Sequence, residues 1–231
     1  MRPLPILLSL VSLPVLAAGL LNDTGVSTCF DGSSLVTCTA ANTGDSASYP
    51  GQDARFGRDA AQKAGTLPPK TGGGAAGFDF TPLDASGKAI AFRGFPPVPS
   101  ATPACTRDNI TGLIWEVKTA ANANDFVNWT EANDYATLSN IFGRCGAHSG
   151  WRVPTLRELL SIVHRGAGSP AIDTRYFPNT ASNAFWTSDR YARDLTGAWR
   201  VNFVNGSASA NDLSSSSHVR LVRSGTVIWN F

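Results

Sequence analysis
The spacing of apolar residues changes along this chain, and each change predicts an element. Leu113-Ile114-Trp115-Glu116-Val117 is a short apolar run entered through the turn residues Asp108-Asn109 and Thr111-Gly112, which reads as a strand. Asn128, with Glu131 three positions later, has the form of a capping box and opens a helix expected to reach about Leu138. A second helix follows Pro154. Its apolar face is Leu156, Leu159, Leu160 and Val163, spaced i, i+3, i+4 and i+7. Thr155 and Glu158 cap its start; His164 and Arg165, cations at the negative pole, and then Gly166 predict its end. Beyond it the period drops to two. Trp199, Val201 and Phe203 alternate with Arg200 and Asn202 up to Asn205-Gly206, and Val219 and Leu221 alternate with His218 and Arg220, so two paired, half-buried strands are expected. Upstream, Phe78-Asp79-Phe80 alternates as a strand does, and Ala89 to Phe92 is a candidate for another. Two helices followed by an antiparallel β meander make an α+β layout.

The first third of the chain lacks this periodicity. Met1-Arg2, an apolar stretch from Ile6 to Leu16 and the small residues Ala17-Ala18-Gly19 have the order of a secretory signal peptide over residues 1–19. No later stretch has the roughly 18 uninterrupted apolar residues of a membrane span, so no transmembrane anchor is expected. Residues 20–75 are rich in Gly, Ala, Ser, Thr, Asp and Asn and poor in large apolar side chains, which predicts a poorly structured N-terminal segment. The packed domain is expected over 76–231, where all six tryptophans lie, Trp229 last. Four cysteines in an exported chain read as two disulfides, with three possible pairings. Cys29–Cys38, a short local loop, and Cys105–Cys145, bracketing the first half of the folded domain, form the expected set. A metal site is disfavoured because no CxxC pair is present.

Composition acts mainly by exclusion. With 19 basic and 17 acidic residues the net charge is +2, which argues against a nucleic-acid binder. Gly72-Gly73-Gly74-Ala75-Ala76-Gly77 fits G-x-G-x-x-G literally but follows Pro68-Pro69-Lys70-Thr71 rather than a strand, so it is rejected as a nucleotide loop. HExxH, GxSxG and Walker motifs are missing, and His148, His164 and His218 are not spaced as helical metal ligands. No cofactor is expected. One bias stands out. From residue 141 to 223 there are ten arginines against five acids and no lysine, while the rest of the chain is net negative. Planar guanidinium groups suit sulfate, phosphate or carboxylate.

Several runs resemble one family, the Lcl C-terminal-like domains. They are Cys105-Thr-Arg-Asp-Asn-Ile-Thr-Gly-Leu-Ile-Trp-Glu-Val-Lys118, Gly150-Trp-Arg-Val-Pro-Thr155 leading into Leu156-Arg-Glu-Leu159, Phe185-Trp-Thr-Ser188, Ala198-Trp-Arg-Val-Asn-Phe203 and Val219-Arg-Leu-Val-Arg223. The resemblance implies a bacterial exported domain with a C-type-lectin-like fold, distantly similar to formylglycine-generating enzymes. Phe177-Pro178-Asn179 lacks the acidic first residue that calcium-dependent lectins use, and no Trp-Asn-Asp follows it, so calcium-dependent sugar recognition is not expected. The paired reactive cysteines of formylglycine-generating enzymes are not matched either, since both domain cysteines read as structural.

In a C-type-lectin-like arrangement Arg175, Arg190, Tyr191 and Arg193 would lie on long surface loops. Strand parity adds Arg200 and Arg220: with Trp199, Val201, Val219 and Leu221 inward, both arginines would face out and lie almost opposite each other. These six form the expected anion site, unless Asp189 or Glu116 supplies a neutralising carboxylate. The expected function is an exported, non-enzymatic binding or adhesion module for a sulfated or carboxylated glycan or a surface protein, periplasmic or extracellular. The alternative is a structural or scaffold protein of the bacterial envelope acting through protein–protein contacts. An enzyme ranks third, because no nucleophile–base or metal constellation is visible.

Overall fold
The computed structural model describes residues 22–38, 44–94 and 98–225; the expected signal peptide and Trp229 lie outside them. The N-terminal segment carries only short elements. Strands β1 (Cys29–Phe30) and β2 (Leu35–Val36) pair inside the Cys29–Cys38 disulfide, and helix α1 (Gly44–Ser48), a 3₁₀ turn at Asp53–Arg55 and helix α2 (Arg58–Lys63) follow. The domain continues with β3 (Phe80–Leu83), β4 (Phe92–Arg93), β5 (Val98–Pro99), β6 (Cys105–Asp108) and β7 (Leu113–Glu116). Helices α3 (Trp129–Phe142) and α4 (Leu156–Leu160) come next, then β8 (Ala184–Arg190), β9 (Gly197–Asn202), β10 (Ser207–Asp212) and β11 (Val222–Ser224). The architecture is α+β, with antiparallel sheets.

One sheet runs β11-β7-β6-β3 and a second β10-β9-β8. Ile114 and Trp115 explain why the first is central. As neighbours in a strand they point to opposite faces. Trp115 enters a cluster with Phe78, Phe80, Leu159, Phe185, Val201 and Phe203, whereas Ile114 enters one with Ala132, Ala136, Trp151, Trp186 and Leu221. The sheet is therefore buried on both sides, α4 contributing to the first cluster and α3 to the second. Cys105–Cys145 ties β6 to the loop beyond α3. Among the described residues no helix is long and apolar enough to cross a membrane.

Both capping boxes form. The Asn128 and Thr155 side chains accept from the Glu131 and Glu158 amides, and each glutamate reaches back to the cap amide. Helix ends depart further from the pattern. Helix α3 continues past Leu138 to Phe142, and α4 stops at Leu160, short of Val163. His164 is accordingly no helix-end cation: it is buried, and burial pulls its pKa below the ordinary value. Gly166 is not a helix cap either; it packs against the Gly25 carbonyl, which a Cβ would meet at 2.3 Å. The late strands also differ from expectation. The partner of β9 is the polar β10, reached through a turn at Gly206 (φ +76°), while β11 joins the other sheet beside β7.

The N-terminal segment is anchored to the domain. The Asp23 carboxylate accepts from the Gly25 and Arg58 amides, Asn22 donates to Asp108 at 2.8 Å, and the Arg165 amide donates to the Thr24 carbonyl. Gly25 sits at φ +81°, with room for no Cβ: the atom would lie 2.3 Å from His164 Nδ1. Gly25→Ala should therefore loosen this anchor. The expected result is faster limited proteolysis between residues 22 and 38 with little change in the domain's unfolding midpoint; an unchanged cleavage rate would show that the imidazole simply moves aside.

Candidate functional site
Residues Ser217 to Val222 are all buried, so the alternation read from the sequence does not sort them into an inner and an outer side. Arg220 is the main consequence, and it corrects the outward placement expected of it. Its side chain is fully buried, donating from Nη1 to the Glu116 carbonyl at 2.7 Å and from Nη2 to Thr180 Oγ1 at 2.6 Å. Its guanidinium also lies 5.2 Å from the centre of the Phe177 ring and 5.7 Å from that of Phe185. Burial pulls its pKa down to about 10, still protonated at neutral pH. Next to it, Glu116 holds Lys118 at 3.1 Å and Arg144 at 3.2 Å. Glu116, Lys118 and Arg220 are buried, so their charges serve the framework.

The other expected residues separate into different places. Arg175 grips Asp173 through Nε at 2.8 Å and Nη2 at 2.6 Å, so its charge is answered within the chain. Asp189, a possible partner for Arg200, instead accepts from the Leu156 amide. Tyr191 packs edge-on against Trp199, with ring centroids 5.2 Å apart. Trp199 lies on the face of β9 that carries Val201 toward α4, so Tyr191 belongs to that side.

The opposite face of the β8–β9–β10 sheet carries the candidate site. Arg190 is paired with Ala198, and Arg200, two residues along from Ala198, is paired with Trp186 and Ser209. Directly opposed residues share a face, as do residues two apart, so Arg190 and Arg200 share one, although the β8–β9 register shifts between Trp186 and Arg190. Ser209 and Asn211 lie on the same face. The guanidinium of Arg190 stands 5.1 Å from the centre of the Trp129 ring, and the Trp129 indole donates to the Thr187 carbonyl at 2.9 Å. Arg200 reaches the hydroxyls of Ser209 at 3.3 Å and Ser217 at 3.4 Å. Arg193 is exposed in the β8–β9 turn. Among the described residues, carboxylates pair with Arg144, Arg152 and Arg175, but none pairs with Arg190, Arg193 or Arg200.

Trp129, Ser209 and Asn211 are site residues that the sequence pattern does not single out. Trp129 opens a helix and looks like core, and Ser207–Asp212 has no apolar alternation to mark it as a strand. The Asn205-Gly206 turn is the one clue that a hairpin partner follows. Among the described residues no group of three or more His, Cys, Asp or Glu side chains is placed to hold a metal ion. The profile of the Lcl C-terminal domain matches residues 104–223, from just before β6 through β11 and over half of the chain. The chain belongs to the Lcl C-terminal domain family. The family's stretch includes the whole β8–β9–β10 sheet and Trp129, whereas the N-terminal segment lies outside it. No curated protein matches the chain.

Proposed function
We propose that this Lcl C-terminal domain is an exported, non-enzymatic binding module for a sulfated or carboxylated glycan, held by Arg190 and Arg200 beside Trp129 on the β8–β9–β10 sheet, with the exposed Arg193 in the β8–β9 turn. The observation that carries this reading is that strand register brings together, on one face, arginines that no carboxylate of the described residues neutralises. Arg144, Arg152 and Arg175 have carboxylates, while Arg190, Arg193 and Arg200 do not. Like charges on one sheet face repel, and an anion between them relieves that repulsion. Guanidinium forks match the planar oxygens of sulfate and carboxylate, and the Ser209 and Asn211 side chains add the neutral partners that sugar hydroxyls need. Arginine cannot exchange a proton at neutral pH, so the groups on offer favour retention over turnover. Export is supported by the leader-like residues 1–19 and by two disulfides.

The test is retention on heparin against rising salt, since attraction between exposed charges weakens as ionic strength grows. Arg190→Ala with Arg200→Ala should weaken retention about tenfold or more, as expected for removing charge-assisted hydrogen bonds of roughly 1.5–3 kcal/mol each. The melting temperature should fall by only a few degrees, because the folded state gives up the cation–π attraction between Arg190 and Trp129, about 0.5–1 kcal/mol, and the hydrogen bonds from Arg190 to the Leu195 carbonyl and from Arg200 to Ser209 and Ser217. A neutral glycan column should not retain the wild-type protein. If the double variant elutes with the wild type, the arginines are not the site.

A further inference from the structure
A cleft of about 840 Å³ opens where the N-terminal segment meets the domain. Asn22 to Thr24 form one wall, α4 and the residues just after it form another, and the β6–β7 turn and Asp189 of β8 complete the lining. The first wall is held in place: Asn22 donates to Asp108 at 2.8 Å, and the Arg165 amide donates to the Thr24 carbonyl at 2.8 Å. That wall lies outside the family's stretch of 104–223, so two parts of the chain must join to build the cleft. Its apolar surface comes from Ile110, Leu113, Leu156, Leu160 and Val163. Leu113, Leu156 and Leu160 pack against the first apolar cluster yet are only half-buried, so the core continues into the cleft as an apolar floor.

The polar lining divides into groups the chain already satisfies and groups it does not. Asp23 accepts from the Gly25 and Arg58 amides, Glu158 from Arg152 and the Thr155 amide, and Asp189 from the Leu156 amide. The hydroxyls of Thr24, Thr111 and Ser161 donate to Asp53, Asp108 and the Glu158 carbonyl. Arg157 and Arg165 differ. Both are exposed, and neither guanidinium has a hydrogen-bond or ion-pair partner among the described residues. A cationic ligand would find the carboxylates of the cleft engaged, and a wholly polar one would lose its water to the apolar floor without return. From this division we infer that the cleft binds a small amphipathic anion, a carboxylate on an apolar body. Its acid group meets Arg157 and Arg165, and its body lies along Leu113, Leu156 and Leu160. Charge-assisted bonds to guanidinium supply the polar half of the recognition, and removal of apolar surface from water supplies the rest. The volume falls within the roughly 300–1,000 Å³ of small-molecule sites. This site is separate from the arginine face, since none of Trp129, Arg190, Arg193 or Arg200 lines it.

The experiment uses the full oxidised chain, with decanoate, octanoate and decanol as probes. In isothermal titration calorimetry decanoate should bind one to one, and decanol, which lacks the charge, about tenfold more weakly or worse. Octanoate is two methylenes shorter and should also bind about tenfold more weakly than decanoate, because each buried methylene adds roughly fourfold. Arg157→Gln with Arg165→Gln should bring decanoate down to the level of decanol. The melting temperature should stay where it is, because neither side chain holds another part of the fold. Decanoic acid carrying a diazirine on its chain then locates the site: irradiation should label residues 22–24, 110–113 or 156–165. No binding of decanoate, equal binding of decanoate and decanol, or unchanged decanoate affinity in the double variant would overturn the inference. Labelling at the exposed Leu138, Ile141 and Phe142 of α3 in place of the cleft would overturn it as well.

Discussion

Replacing Glu116 by alanine should cost the fold about 3–5 kcal/mol, the range for removing one partner from a buried charge pair. The carboxylate has no solvent exposure, and five donors converge on it, Asn122 Nδ2 the most distant at 3.5 Å. Lys118 Nζ, Arg144 Nη1 and the Tyr135 hydroxyl reach Oε1, at 3.1, 3.2 and 2.5 Å, and the Leu221 amide reaches Oε2 at 2.9 Å. Burial alone would raise the carboxyl pKa, but Lys118 and Arg144 outweigh it and hold the group below its ordinary value. Without the carboxylate, the almost fully buried Lys118 ammonium loses its counter-charge in a site where burial already depresses its pKa. Glu116→Gln should be milder, because its one amide oxygen can still accept at one of the two positions, from Tyr135 or from the Leu221 amide, while its NH2 takes the other. The pH dependence has a definite sign. A depressed folded pKa gives stability that is present above the ordinary carboxyl value and is lost as acid titrates the folded form. Urea unfolding of the wild type and both variants at neutral and acid pH measures this. A loss under 1 kcal/mol for Glu116→Ala would show that water replaces the carboxylate.

The same cluster shows where sequence reading stops. Capping boxes at Asn128 and Thr155 were legible because every atom involved lies within three residues. Strand β7 was legible because its apolar run is bounded by turn residues. The strand β10, Ser-Ala-Ser-Ala-Asn-Asp, was not, since an exposed edge strand need carry no apolar face. Arg220 misled for the opposite reason. Parity assumes one wet side, but residues 217–222 pass between packed elements and are buried on both. What makes an arginine tolerable there is a carbonyl, a hydroxyl and two aromatic rings supplied by residues 40–104 positions away along the chain or by nearby strands, and local pattern cannot announce them. The arginine excess was visible in the sequence, yet only strand register brings Arg190 and Arg200 to one face. The approach of Arg190 to Trp129 depends on a helix docking across that sheet.

Removing the Cys105–Cys145 disulfide should lower stability by about 4 kcal/mol, whereas removing Cys29–Cys38 should scarcely move the domain's transition. A cross-link stabilises mainly by restricting the unfolded chain, and in that model the effect grows with the logarithm of the loop. Cys105–Cys145 closes a separation of 40 residues, corresponding to about 4 kcal/mol. Both sulfurs belong to the second apolar cluster, packed with Leu83, Ile114 and Trp151, so the constraint acts on the cooperative unit itself. Cys29–Cys38 spans only 9 residues, worth roughly 2.6 kcal/mol by the same model. That smaller gain acts on a segment whose neighbouring apolar side chains, Phe30 and Leu35, are 42% and 73% exposed. Such a segment opens without the core opening, so its cross-link limits local fraying more than global unfolding. Double Cys→Ala variants at each pair test the contrast by thermal unfolding. The Cys105/Cys145 variant should melt about 8–16 °C lower, using roughly 2–4 °C per kcal/mol for a chain of this size. The Cys29/Cys38 variant should melt close to wild type but be cut sooner by protease between residues 22 and 38. Equal melting losses for the two variants would mean that the N-terminal segment unfolds with the core as one unit.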